Sequence, residues 1–213
     1  MDFDFATLSP QERYKLLGSS VTPRPIAWIA SQSADGVRNL APFSFFNAMG
    51  ANPPLIAVGL ITRPDGRLKD TAANILATGE FVVHLVSEAL APAMNLTCMD
   101  APSEVDEIAL AGLATLPSSA VAVPRLAEAP VAMECRLYQA IPAGSTTIVL
   151  GEVLHFHIQD ALIDTEKLYV DTLGLDLVAR MHGGGWYARQ TDLFDMPRPL
   201  YKDWQAEHGG KSD

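Results

Sequence analysis

Between Thr22 and Leu60 the sequence reads TPRPIAWIASQSADGVRNLAPFSFFNAMGANPPLIAVGL, and the punctuation of this stretch limits the folds open to the chain. Residues before proline avoid the helical region, so Thr22-Pro-Arg-Pro25 leaves the backbone extended, and the apolar run Ile26 to Ser31 predicts a buried strand. Ser33-Ala-Asp-Gly36 supplies a turn, Val37 to Phe43 predicts an antiparallel return, and Asn52-Pro-Pro54 introduces a third strand over Leu55 to Ile61. Three strands so close in sequence point to an all-β or α+β core, not to an alternating parallel sheet. Between the second and third lies Ala41-Pro-Phe-Ser-Phe-Phe-Asn47, an aromatic and polar loop of the kind in which binding groups concentrate.

The flanking segments extend this reading. Ser9-Pro10 with Glu12 predicts a short capped helix to Leu17, stopped by Gly18. After the third strand, Thr62-Arg-Pro-Asp-Gly-Arg-Leu-Lys-Asp-Thr71 leads into a helix from about Thr71 to Thr78, closed by Gly79. Phe81 to Val86 predicts a strand carrying His84; Ser87 caps a helix running to about Met99, and Ser103 starts another that ends near Gly112. Residues 114–130 form a loop, and Val131 to Ile141 and Thr146 to Gln159 form a long hairpin about Pro142-Ala-Gly144. Tyr169 to Ala179 fits a strand or a short helix. The tail after Met196 is proline-rich and then polar.

A chain of 213 residues fits a single domain over residues 1–213, with a core of about residues 15–190 and a tail after 195. Its net charge of −10 opposes an electrostatic grip on nucleic acid or an anionic membrane, since both need a basic face. The acidic N-terminus lacks the pattern of a signal peptide and no apolar run is long enough for a membrane span, which predicts a cytoplasmic protein. Two cysteines without CxxC spacing, Cys98 and Cys135, predict reduced thiols.

Arg63, Arg67 and Lys69 put three of the chain's fifteen basic residues just ahead of a helix start. Unpaired N–H groups and the positive dipole end at such a start make a phosphate cradle, although a solvated turn accounts for the charges equally well. His155 and His157 share one strand face, yet no third ligand stands near them, and a polar outer face explains them. The three glycines of His182-Gly-Gly-Gly-Trp-Tyr187 do not sit between a strand and a helix as a dinucleotide loop requires. Nucleophile elbows, HExxH and P-loop patterns are all missing from the sequence. A chain without an evident acid, base or nucleophile set suits redox chemistry, where a cofactor carries the reaction and the protein positions it.

Several ordered segments together resemble the flavin reductase-like proteins of the FMN-binding split-barrel group. They are Thr22-Pro-Arg-Pro-Ile-Ala-Trp28, Asn39 to Asn47 with Asn52-Pro-Pro54, Lys69-Asp-Thr-Ala-Ala-Asn74, Thr78 to Leu85, Val105-Asp-Glu to Leu113, and Leu150-Gly-Glu-Val153. The resemblance implies a mainly β (α+β) Greek-key split β-barrel with peripheral helices, a homodimer with flavin sites at its interface, and FMN as cofactor ahead of FAD or riboflavin. It implies an NAD(P)H-dependent flavin reductase, with NADH or NADPH as co-substrate and a monooxygenase as a partner. On the same ground Ala41, Pro42, Phe43, Ser44, Phe45, Phe46 and Asn47 line the flavin, although strand parity keeps Phe45 and Phe46 from facing one pocket. Lys69, Asp70 and Thr71 meet the phosphate with Arg63 or Arg24 as charge partner; Trp28 and Asn74 carry over as further contacts, and His182 as a nicotinamide contact. The rivals are a flavin-binding or electron-relay protein without turnover, and a split-barrel oxidase or a haem or deazaflavin binder.

Overall fold

The structure is a computed structural model that describes residues 1–208. It holds β1 (Ala27–Gln32), β2 (Arg38–Phe43), β3 (Phe46–Ala51), β4 (Pro54–Ile61) and β5 (Glu80–His84). Two-residue strands β6 (Thr115–Leu116) and β7 (Arg125–Leu126) precede the long β8 (Val131–Ala143) and β9 (Thr146–Ile158). Short β10 (Ile163–Asp164), β11 (Tyr169–Val170), β12 (Val178–Arg180) and β13 (Tyr187–Arg189) follow. The helices are α1 (Pro10–Ser20), α2 (Asp70–Thr78), α3 (Ala91–Leu96), α4 (Glu107–Leu110) and α5 (Tyr201–His208).

Seven strands form one antiparallel sheet in the order β2-β1-β5-β8-β9-β4-β3. Its edge strands, β2 and β3, are consecutive in the chain, joined only by Ser44 and Phe45. Laid flat, the edges of seven strands stand about 29 Å apart, yet the three steps from Phe43 to Phe46 span at most about 11 Å. The sheet must therefore roll until its edges meet. Among the described residues no ladder joins β2 to β3, so the barrel has a seam.

Strand parity sorts the core into two layers. Ala27 and Ile29 point into the barrel with Val58, Phe81, Val83, Cys135 and Val149, where α2 adds Ala72 and Ile75. Trp28 and Ala30 face outward with Leu40, Val82 and Ala132, beneath Met94 of α3, Ile108 of α4 and Leu126 of β7. β1 is thus buried on both faces, which is why it reads as a continuous apolar run. A Cβ at Gly151 would lie 2.5 Å from Cζ of Phe81, so this glycine leaves the room into which the fully buried ring extends.

Several local expectations need correction. The aromatic loop is shorter than its composition suggests, because Phe46 and Asn47 already belong to β3, a strand that its exposed small residues conceal. Gly18 does not stop α1: the Ser9–Glu12 capping box forms, but the helix runs to Ser20 with Val21 as C-cap. Ser87 pairs through its backbone with Leu177 and caps nothing with its side chain, so the helix predicted to Met99 divides into a 3-10 turn at Glu88–Leu90 and the short α3. Asp106, not Ser103, caps α4, its carboxylate accepting from the N–H groups of Ile108 and Ala109. The segment Tyr169 to Ala179 is neither one strand nor one helix, holding β11 and the start of β12. The polar tail contains α5.

Candidate functional site

β2 floors an open cleft of ≈ 290 Å³, walled by the start of α2, the end of α3, α4 and the β12–β13 hairpin. Ala41, Pro42, Phe43 and Ser44 line it from β2, and Met94 and Met99 add apolar surface from the α3 side. Arg63, Lys69, Asp70 and Thr71 line it near the start of α2. Lys69 stands at the N-cap of that helix without capping it through its side chain, which leaves the first-turn N–H groups without a side-chain acceptor. Arg63 donates to Asp70 at 2.7 Å, so part of its charge is spent within the protein.

Beneath this end lies a buried polar network that sequence reading did not find. Thr71 Oγ donates to Asn39 Oδ1 at 2.7 Å, and Asn39 Nδ2 donates to Glu107 Oε2 at 3.0 Å. The backbone N–H of Leu40 donates to the same carboxylate oxygen, also at 3.0 Å. Asn74 Nδ2 donates to Ser31 Oγ, which donates in turn to Asn39. Glu107 and Asn39 both line the cleft. Arg38 and Asp106 form an ion pair that fastens α4 to β2 beside them.

At the other end of β2, Arg24 is 4% exposed and donates through Nε to Ser44 Oγ at 3.3 Å. Its remaining bonds go to the carbonyls of Gly18 and Val21, and its guanidinium lies 5.8 Å from the Phe45 ring centroid. Burial lowers its pKa, opposed by Tyr14 and reinforced by Arg180. Tyr14, Cys98, Arg180 and Tyr187 complete the walls. Desolvation pushes the Cys98 thiol up, against the pull of Arg180 and Lys69.

The sequence-expected residues divide into two groups. Ala41 to Ser44, Arg63 and Lys69 to Thr71 meet at the cleft, while Arg24 backs Ser44. Trp28 is fully buried and donates to Thr97 Oγ at 2.9 Å, so it reaches the cleft only by fixing the end of α3. Asn74 acts through Ser31. Phe45 packs against Arg24 and Tyr14, Phe46 against the barrel interior, and Asn47 is exposed on β3. His182 sits at the exposed hairpin tip with its ring 5.7 Å from Trp186. His157 Nε2 donates to Glu134 Oε1 at 2.6 Å, and no metal-holding group of three or more His, Cys, Asp or Glu occurs among the described residues. None of the described helices is long and apolar enough to cross a membrane.

Residues 18–173 match the sequence model described as the flavin reductase like domain. The chain belongs to the flavin reductase-like family. The fold of this flavin reductase-like protein resembles nitrilotriacetate monooxygenase component B from Bacillus cereus, with a TM-score of 0.88 and 36% identity over 92% of this chain and 98% of that one. A second solved structure, Pseudomonas fluorescens 2-nitrobenzoate 2-nitroreductase, gives 0.85 and 35% over 94% and 98%. A flavin reductase structure with a split barrel domain from Shewanella frigidimarina gives 0.79 and 23% over 93% and 100%, a likeness of fold. The rolled seven-stranded sheet is accordingly the Greek-key split β-barrel that the sequence resemblance implied. For the flavin reductase-like protein, a flavin and oxidoreductase chemistry follow from this membership.

Proposed function

We propose that the chain binds FMN non-covalently in the cleft and is an NAD(P)H:flavin oxidoreductase that serves a partner such as a monooxygenase. The observation that carries this reading is the union of an apolar wall, Ala41-Pro42-Phe43 with Met94 and Met99, and the uncapped, basic start of α2. A ring system suits the first and a phosphate the second. The likeness to a monooxygenase component B supports the choice of partner.

A bound flavin supplies the ring that accepts a hydride. The protein's part is placement: Lys69 and the first-turn N–H groups of α2 would hold the phosphate, while Ala41 to Phe43 and the two methionines would give the ring an apolar, water-excluding wall. Asn39 and Glu107 present polar groups between these two regions, and Thr71 locks Asn39 by hydrogen bonding. The cleft of one chain is at the small end for a ligand site, and its open mouth suits closure by a second subunit. An exposed β3 with Met49, and exposed Tyr138, Ile141 and Phe156 on the outer parts of β8 and β9, support a homodimer.

Purified protein mixed with FMN should quench flavin fluorescence at micromolar concentrations. Anaerobic NADH or NADPH should then bleach the flavin band; an unchanged spectrum assigns the protein to flavin binding or electron relay without nicotinamide turnover. The likeness to a nitroreductase favours a second reading, in which electrons pass to a nitroaromatic acceptor at the same cleft. NADH consumption that requires 2-nitrobenzoate and releases no reduced flavin selects that reading.

A further inference from the structure

Cations approach the cleft in two sets anchored at opposite ends of β2, with Arg63, Lys69 and Arg180 on its walls and Arg24 buried behind Ser44. Lys69 and Arg63 stand beside Thr71, which is tied to Asn39 near the start of the strand. Arg24 is tied to Ser44, just beyond its other end. Five residue steps of extended chain, from Asn39 to Ser44, separate the two ties by about 17 Å. FMN carries a single phosphate, so one of these sets is left over.

Arg24 and Arg180 form the second set. Their backbones exchange two hydrogen bonds of 2.9 Å, Arg24 N–H to Arg180 O and Arg180 N–H to Arg24 O, which sets the two residues opposite each other. Neither forms an ion pair with a carboxylate among the described residues. Arg24 is buried on neutral oxygens. Arg180 lines the cleft with its guanidinium 4.9 Å from the Tyr187 ring centroid, and it donates to the carbonyl of Gly184. The hairpin that carries it is pinned at its base, where Arg189 Nε donates to Glu88 Oε2 at 2.6 Å. Two arginines on paired backbone positions, neither with a carboxylate counter-ion among the described residues, are a standing cost unless an anion visits them. A planar guanidinium braced on an aromatic ring is suited to a phosphate.

Building on the proposed function, we propose that Arg180, backed by Arg24 and braced by Tyr187, recognises a phosphate group of the nicotinamide dinucleotide, at a position distinct from the flavin phosphate site at α2. The same phosphate chemistry could come from the flavin itself, and the test separates the two sources. ADP-ribose, which carries the diphosphate and no reactive ring, is titrated by calorimetry against the purified protein, and FMN is titrated by fluorescence. In Arg180→Gln the affinity for ADP-ribose and KM for NADH weaken about tenfold, while the dissociation constant for FMN stays within twofold. Arg180→Lys, which keeps the charge but not the planar fork, recovers only part of the loss and guards against a collapsed hairpin. Weakening of FMN with ADP-ribose unchanged transfers the site to the flavin and overturns the inference. Unchanged binding of both ligands overturns it as well. Wild-type protein that binds FMN but no ADP-ribose refutes the inference alone, whereas failure to bind FMN refutes the proposed function too.

Discussion

Glu107 and Glu134 are both buried carboxylates held by backbone N–H groups, yet they belong to regions built for different ends. Both oxygens of Glu134 are engaged: Oε1 accepts from Ser119 N–H at 2.7 Å and His157 Nε2 at 2.6 Å, and Oε2 from Ala120 N–H at 2.5 Å. His84 lies nearby between the carbonyl of Trp28 and the N–H of Leu126, both ring nitrogens occupied. Together these side chains fasten the loop of residues 114–130 to the sheet. Glu107 is engaged by the protein through Oε2 alone and borders the cleft. A closed polar network stabilises a fold, and an open one leaves capacity for a ligand.

The sharpest way to break this contrast is Glu134→Ala. It strands two backbone donors and an imidazole, and should cost about 3 kcal/mol in urea denaturation, with FMN affinity of the folded protein unchanged. A loss of FMN binding by the native protein would show that the two regions are not separate. Acid tests the same region more gently. Burial, opposed by the Trp28 carbonyl, depresses the pKa of His84 to about 4. Between there and about 6.5 the unfolded chain takes up the proton that the folded chain refuses, so stability falls as pH drops through this window. The loss approaches about 3 kcal/mol near pH 4. Glu134 acts in the same direction: burial pushes its carboxyl up, but hydrogen bonds from His157 and the two N–H groups hold it below the ordinary value. Its contribution is present above the ordinary carboxyl range and lost as pH falls through its lowered pKa. Denaturation midpoints at pH 7 and pH 5 check the sign.

In the open region, Glu107→Gln keeps an acceptor for Asn39 and Leu40 while turning an amide NH₂ toward the cleft. It should cost about 1 kcal/mol of stability and weaken FMN at least as much as riboflavin, since its partner Asn39 also holds Thr71 at the start of α2; calorimetric titration of both ligands decides. Smallest in structural effect is Lys69→Ala. Stability should change by less than about 0.5 kcal/mol, whereas FMN should weaken by roughly five- to tenfold and riboflavin hardly at all. Equal loss for the two ligands would remove the phosphate from α2. Thr71→Ala does not discriminate as cleanly, because its hydroxyl is committed to Asn39.

What the sequence disclosed and what it hid follow the range of the interactions. The capping box at Ser9, the helix stop at Gly79, the β8–β9 hairpin and the apolar runs of β1, β4, β8 and β9 are local, and each was legible, although the hairpin turn falls at Gly144-Ser145 and leaves Pro142 and Ala143 in β8. Family segments added the barrel and one wall of the cleft. The network under the cleft was not legible because Asn39 meets Glu107 across 68 positions and Thr71 across 32. Trp28 stays off the cleft surface for a related reason: strand parity turns its ring outward into the layer under α3, where it is fully buried and bonded to Thr97. Arg180 carried no signal of its own, since its role depends on the backbone pairing with Arg24.

The seam between β2 and β3 also governs how the molecule comes into being. Residues 27–61 contain two hairpins whose pairing is local in sequence, β1 with β2 and β3 with β4. Their outer strands cannot be enclosed in one barrel until β8 and β9 slot between β5 and β4. Nucleation can thus begin early in synthesis, but the architecture is completed only once residue 158 has been made. Such late, long-range closure predicts slow folding for a chain of this size, and it places the half-made hairpins, with bare edges and apolar faces, among the states a chaperone would meet.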